Sequence, residues 1–118
     1  MKEHPRTEFD AAVKAKDAGD LPGSRQMLVR LHQTDPHSAA ILAVLGHVCW
    51  ESNLLEEAIE SFRKATILKP QADAVSLGLF HCLFKVGRTD EAFDEMRRFL
   101  SEYDSEEYTR LLAELKGG

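Results

Sequence analysis

The sequence predicts an all-α fold: an α-α superhelix of three helix-turn-helix units with a seventh helix capping the last of them. Three observations predict it. Residue types recur with a 34-residue period; apolar residues inside each unit keep the three-and-four spacing of one helix face; and Val, Ile and Thr never cluster as they do in strands.

The period shows first in the dipeptides Asp35-Pro36 and Lys69-Pro70, whose prolines stand 34 residues apart. Gly19, Asn53 and Gly87 repeat at the same interval, as do Ser24, Ala58 and Ala92. Leu28, Phe62 and Met96 follow, and then Leu31, Ala65 and Phe99. Units therefore run 5–38, 39–72 and 73–106, each reading as two helices within a single domain over 1–118. Gly19, Asn53 and Gly87 mark the turn inside each unit, because a left-handed residue ends the first helix and Gly or Asn adopts that backbone at least cost. Small Ser24, Ala58 and Ala92 let the two helices of a unit close to contact. Pro36 and Pro70 are expected to stop the preceding helix and open the next at its first turn, with Asp35 as cap. After the third unit, Asp104-Ser105-Glu106-Glu107 forms a capping-box pattern. Tyr108, Leu111, Leu112 and Leu115 then continue at helical spacing, predicting a capping helix over 105–116. Gly117-Gly118 is read as a frayed tail.

These residues resemble the tetratricopeptide repeat family. The middle unit carries the likeness best: Leu42, Leu45-Gly46, Cys49, Ala58, Phe62, Ala65 and Pro70 occupy the family's signature slots. The first unit keeps Gly19, Ser24, Leu28 and Pro36 but has Glu8 and Ala11-Ala12 in its first helix. The third keeps Leu79, Gly87, Ala92, Met96 and Phe99. It departs at Phe80, where a small residue is expected, and at Asp104 in place of proline. Phe80 is expected to hold its two helices apart unless Ala92 makes room.

Composition narrows the function. The net charge of −5 lies almost wholly in residues 73–118, with ten acids against six bases. That balance excludes the basic stripe of a general nucleic-acid binder. Two cysteines, Cys49 and Cys82, are too few for a disulfide framework and sit in apolar helical stretches, which reads as a reducing compartment. No apolar run spans a bilayer and the first twenty residues are charged throughout, so the expectation is a cytoplasmic protein without leader or membrane contact. No phosphate loop, nucleophile elbow or HExxH pattern occurs, and the chain is expected to be no enzyme and to need no cofactor.

The resemblance implies that the first helices of successive units line a concave groove. The ligand-facing slots are then Arg6, Phe9, Val13, Lys16 and Asp17 in unit one, Ala43, His47, Trp50 and Glu51 in unit two, and Leu77, His81, Phe84 and Lys85 in unit three. His47 and His81 are equivalent by period, as are Trp50 and Phe84. Two arrangements fit these four. Either the aromatics pack on each other or on the cap helix, with solvated histidines, or they form an aromatic groove for an apolar or amphipathic peptide. A carboxylate clamp needs Lys and Asn, whereas the matching slots hold Val13, His47, Ala74 and Leu77. A metal site from His47, His81 and Cys82 is set aside: adjacent helical residues point about 100° apart, and His4, His32 and His37 are scattered. Glu56, Glu57 and Glu60 read as a solvated helix face. Glu102, Asp104, Glu106 and Glu107 read as a solvated cap or a docking patch for a basic partner.

The function read from the sequence is a protein–protein interaction scaffold holding a peptide or helix segment of a partner protein. The alternative is a small assembly subunit or chaperone acting by self-association, as a homodimer, or through its convex face.

Overall fold

Seven stretches with an apolar stripe at helical spacing become seven α-helices in the computed structural model, which describes residues 5–117. They are α1 (Pro5–Asp17), α2 (Leu21–Thr34), α3 (Ala39–Glu51), α4 (Leu55–Leu68), α5 (Asp73–Lys85), α6 (Thr89–Leu100) and α7 (Glu106–Gly117). No strand occurs among the described residues. His4, Gly118 and the Arg6 side chain lie outside them.

The turns inside the first three helix pairs are built alike. Gly19, Asn53 and Gly87 hold φ of +89°, +62° and +87°. Each donates its N–H back to a carbonyl three residues earlier: Lys16, Trp50 and Phe84, at 3.0, 3.0 and 3.1 Å. The next residue reaches five back, to Ala15, Cys49 and Leu83 at 2.8, 2.8 and 2.9 Å. Carbonyls orphaned by the end of the first helix are thereby satisfied.

The connections between pairs differ from the sequence expectation. Asp35 does not cap α3. It closes α2, its N–H bonded to the Leu31 carbonyl at 2.8 Å, and Ser38 caps α3 by accepting the Ile41 N–H at 3.2 Å. Pro36 and Pro70 likewise stay in the turns, three residues ahead of α3 and α5. A proline disfavours helical backbone at the residue before it, and Asp35 and Lys69 accordingly leave the helix with ψ of 72° and 78°. At α7 the cap is Ser105 rather than Asp104, its Oγ accepting the Tyr108 N–H at 3.2 Å. Gly117 is the last residue of α7.

Each of α1 to α6 packs on its neighbours in sequence, and α1, α3 and α5 also approach one another, more closely than α2, α4 and α6 do. Unequal spacing bends the stack, with α1, α3 and α5 on the inner side. The whole measures 55 × 27 × 20 Å. Long side chains bridge the wider outer gaps: Arg25 meets Glu57 at 2.6 Å, Arg63 meets Glu91 at 3.3 Å and Arg88 meets Glu56 at 3.5 Å. Glu56 and Glu57 are thus not simply solvated. These pairs are exposed, and each contributes about 0–1 kcal/mol.

The core centres on Phe62, 1% exposed. Its ring projects from α4 between α3 and α5 and finds a glycine on each. A Cβ on Gly46 would stand 2.8 Å from the ring, and one on Gly78 would stand 2.6 Å from it. Ala58 and Ala92 are fully buried at the helix crossings. Phe80 does not hold the third pair apart. It is buried, edge-on to Phe93 at 5.5 Å and to Tyr108 at 5.8 Å, so α7 shares the space it fills.

α7 approaches the stack less closely than the other helices and is held chiefly through Tyr108, which is fully buried. Tyr108 donates its hydroxyl proton to Ser76 Oγ at 2.8 Å, and Ser76 donates to Glu95 at 2.6 Å. Arg98 holds Glu95 and also donates to the Pro70 carbonyl at 3.0 Å. Burial holds the Tyr108 phenol well above its usual range, so it stays protonated and able to donate.

Two predictions follow from this packing. In the first two units the positions equivalent to Phe62 and Gly78 are Leu28 and Val44. Gly78→Val alone should lower the unfolding free energy by about 1–3 kcal/mol, by overpacking. Adding Phe62→Leu should recover part of that loss, with a coupling of about 1 kcal/mol or more in urea unfolding; simple additivity would refute the wedge. Tyr108→Ala should cost about 3–5 kcal/mol, whereas Tyr108→Phe, which removes only the hydroxyl, should cost about 1 kcal/mol. Equal losses in thermal melts would show that the hydroxyl, not the ring, anchors α7.

Candidate functional site

The groove slots lie on α1, α3 and α5, the three helices on the inner side of the bend. Three rows cross them at 34-residue spacing. The first row is Phe9, Ala43 and Leu77, all half-buried, and it continues to half-buried Leu111 of α7. The second is Val13, His47 and His81, and the third is Lys16, Trp50 and Phe84. Asp17, Glu51 and Lys85 stand exposed beside the third row. Helical spacing puts these residues on the face opposite the buried one.

Trp50 and Phe84 belong to separate clusters. The Lys85 ammonium lies 4.9 Å from the centre of the half-buried Trp50 ring, a cation–π contact. Phe84, 47% exposed, stacks on Phe80 at 5.8 Å and meets Phe93 edge-on at 6.2 Å. Its outer face is open and its inner face is fixed by two other rings. Lys16 pairs with Asp17 at 3.1 Å, leaving that end of the third row nearly neutral.

The histidines are exposed at their tips and seated on aromatic edges: His47 on Phe62 at 5.2 Å, His81 on Phe80 at 5.5 Å. Partial burial lowers the pKa of His47 from 6.5, Lys16 lowers it further and Glu51 opposes the shift. Cys82, next to His81, is fully buried and points away from it. Burial pushes both thiols up to about 11, with Glu57 adding to the effect at Cys49. They are inert thiols at neutral pH. Among the described residues no three His, Cys, Asp or Glu side chains converge as a metal would require, and no helix is long and apolar enough to cross a membrane.

Sequence reading missed the contribution of α7. Leu77, His81, Glu107, Arg110, Leu111 and Glu114 line a cleft of about 220 Å³ between α5 and α7. Leu111 stands 34 residues after Leu77, so the period itself signalled that the first row runs on. Glu107 is paired with Arg110 at 3.0 Å, which makes this part of the acidic stretch a wall of the cleft.

The His47 shift gives a signed pH effect. A base whose pKa falls on folding is favoured neutral in the fold. Its contribution is therefore complete above pH 6.5 and is lost as pH drops through the folded value. His47→Gln should flatten part of the decline in melting temperature between about pH 7 and pH 5. An unchanged slope would remove His47 as a contributor.

A family model described as tetratricopeptide repeat matches residues 55–115, just over half of the chain. No curated protein matches significantly. Several solved structures share the fold. MamA superposes with a TM-score of 0.78 at 24% identity, over 86% of this chain and 55% of its own. The type III secretion translocator chaperone SycD of Yersinia enterocolitica, in an alternative dimer, gives 0.79 at 13%, over 99% and 89%. The second TPR of Spaghetti (RPAP3), bound to the HSP90 peptide SRMEEVD, gives 0.76 at 16%, over 83% and 91%. The chain spans little more than half the length of two of the MamA structures it matches, and 77% of a third. At these identities the likeness is one of fold. Together with the family match and the three left-handed turns at 34-residue spacing, it shows that the chain belongs to the tetratricopeptide repeat family.

Proposed function

We infer that residues 5–116 act as one protein-interaction module, whose three repeats at 5–38, 39–72 and 73–106 present a groove to a peptide or helix segment of a partner protein. The observation that carries this reading is Phe84. An aromatic ring nearly half exposed, yet held on its inner side by Phe80 and Phe93, is a preformed anchor that loses little further freedom on binding. Trp50 supplies a second anchor on the neighbouring helix, and the row Phe9, Ala43, Leu77 and Leu111 gives an apolar floor beside them. Val13, His47 and His81 lie between floor and anchors, with Glu51 and Lys85 at the edge. An amphipathic segment fits this alternation of apolar and polar rows.

The fold neighbours support the reading. One is bound to an HSP90 peptide, and another is a type III secretion translocator chaperone. The likeness does not extend to a carboxylate clamp, because Val13, His47, Ala74 and Leu77 include no asparagine and no lysine.

Affinity capture with the wild-type chain, repeated with a double Trp50→Ala, Phe84→Ala variant, tests the groove. Each anchor should contribute about 2 kcal/mol, roughly thirtyfold in affinity, with the helical melt retained. Ile67→Ala removes a large apolar side chain, 76% exposed on α4 and outside the groove, and should leave capture unchanged. A partner held equally well by the folded double variant would place its binding elsewhere on the surface.

A further inference from the structure

The first repeat departs from the pattern in a way that opens a second surface. Glu8 and Ala11 stand 34 residues before Leu42 and Leu45, which are buried in the second repeat. With one leucine replaced by a carboxylate and the other by a methyl, a cleft of about 450 Å³ remains between α1 and α2. It is lined by Glu8, Ala11, Met27, Arg30, Leu31 and Thr34. Its floor is apolar: Leu31 buried, Met27 half-buried, Ala11 open. None of these residues belongs to the groove.

The rim of this cleft carries one acid, Glu8, and one base, Arg30. Arg25, Arg63, Arg88, Arg97, Arg98 and Arg110 each have a carboxylate partner within the described residues. Arg30 has none there, and neither does Glu8 among the basic groups. A base and an acid with no ion-pair partner among the described residues thus flank a single apolar floor. The surface continues along α2 through Gln26 and Val29, which share a second shallow cleft with Arg30.

We propose that this α1–α2 surface is a two-fold interface between two copies of the chain, burying Ala11, Met27 and Leu31 and crossing Arg30 of each copy with Glu8 of the other. A second copy is the occupant because the patch is self-complementary. A rim of one sign calls for a partner of the opposite sign, whereas an acid and a base on either side of an apolar floor satisfy each other about a two-fold axis. Such an interface closes at two copies and leaves the groove free in both.

Sedimentation equilibrium of the full chain, from about 1 µM to about 1 mM, tests the proposal. The wild type should form a dimer that weakens as salt is raised. Glu8→Arg and Arg30→Glu should each weaken it about tenfold or more, by setting like charges opposite one another. Mixing the two single variants, or combining both changes in one chain, should restore it, because acid then faces base again. Both residues are exposed, so unchanged helical melts would separate lost association from lost folding. A monomer across the whole range, a dimer indifferent to both reversals, or a ladder of larger oligomers would overturn the two-fold interface.

Discussion

The ring of Phe62 reaches from α4 into the space between α3 and α5, where Gly46 and Gly78 leave it room on both sides. Two helices can approach so closely around a phenylalanine only where both lack a Cβ at the contact. Close-packed interiors do not yield by the several tenths of an ångström that a methyl would demand. The positions of other groups follow. His47, next to Gly46, is drawn onto the edge of the ring, and its lowered pKa records that packing. On α5, Gly78 fixes the rotation of the helix. Phe80 then turns toward Phe93 and Tyr108, with Phe84 stacked on it and His81 against its ring. One buried aromatic therefore couples the core to the geometry of the candidate groove.

The same close approach accounts for the curvature. The inner helices approach one another more closely than the outer ones do, and Arg–Glu pairs span the outer gaps. Those pairs are exposed and individually weak, so they accommodate the bend and do not cause it. The inner packing sets the radius. The groove is then a consequence of having glycine and alanine where the first helices of the repeats cross their neighbours.

Much of this was legible in the sequence because a repeat exposes itself by period. The left-handed turns at Gly19, Asn53 and Gly87 and the buried alanines at 58 and 92 followed from equivalence alone. Equivalence fails where one repeat compensates for its neighbour. A small residue was expected at position 80, but Phe80 packs edge-on to Phe93 and to Tyr108 of α7, which lies outside the repeat. Trp50 and Phe84 invited pairing because they are equivalent. Trp50 is instead covered by Lys85, 35 residues on, one step off the period. Helix caps were misplaced by one to three residues because Ser38 and Ser105, not the neighbouring aspartates, stand at the last non-helical position. Local hydrogen-bond geometry of that kind is settled by the finished turn and not by residue type alone.

Departures from the repeat pattern fall in the first and third units, and the physics of a linear array explains their place. Each repeat is stabilised by its own fold and by its neighbours. The middle repeat is packed on both sides, so a change there disturbs two interfaces at once; it keeps nearly every signature residue. The first and third are less constrained. In the third, replacing a small residue with Phe80 is compensated by Tyr108 of α7, and the resulting aromatic cluster carries Phe84 to the surface. In the first, losing two leucines opens the α1–α2 cleft while Leu28 and Leu31 remain buried. Features that could serve recognition thus arise where the array can lose regularity without losing its core, and the regular centre holds them in fixed relation.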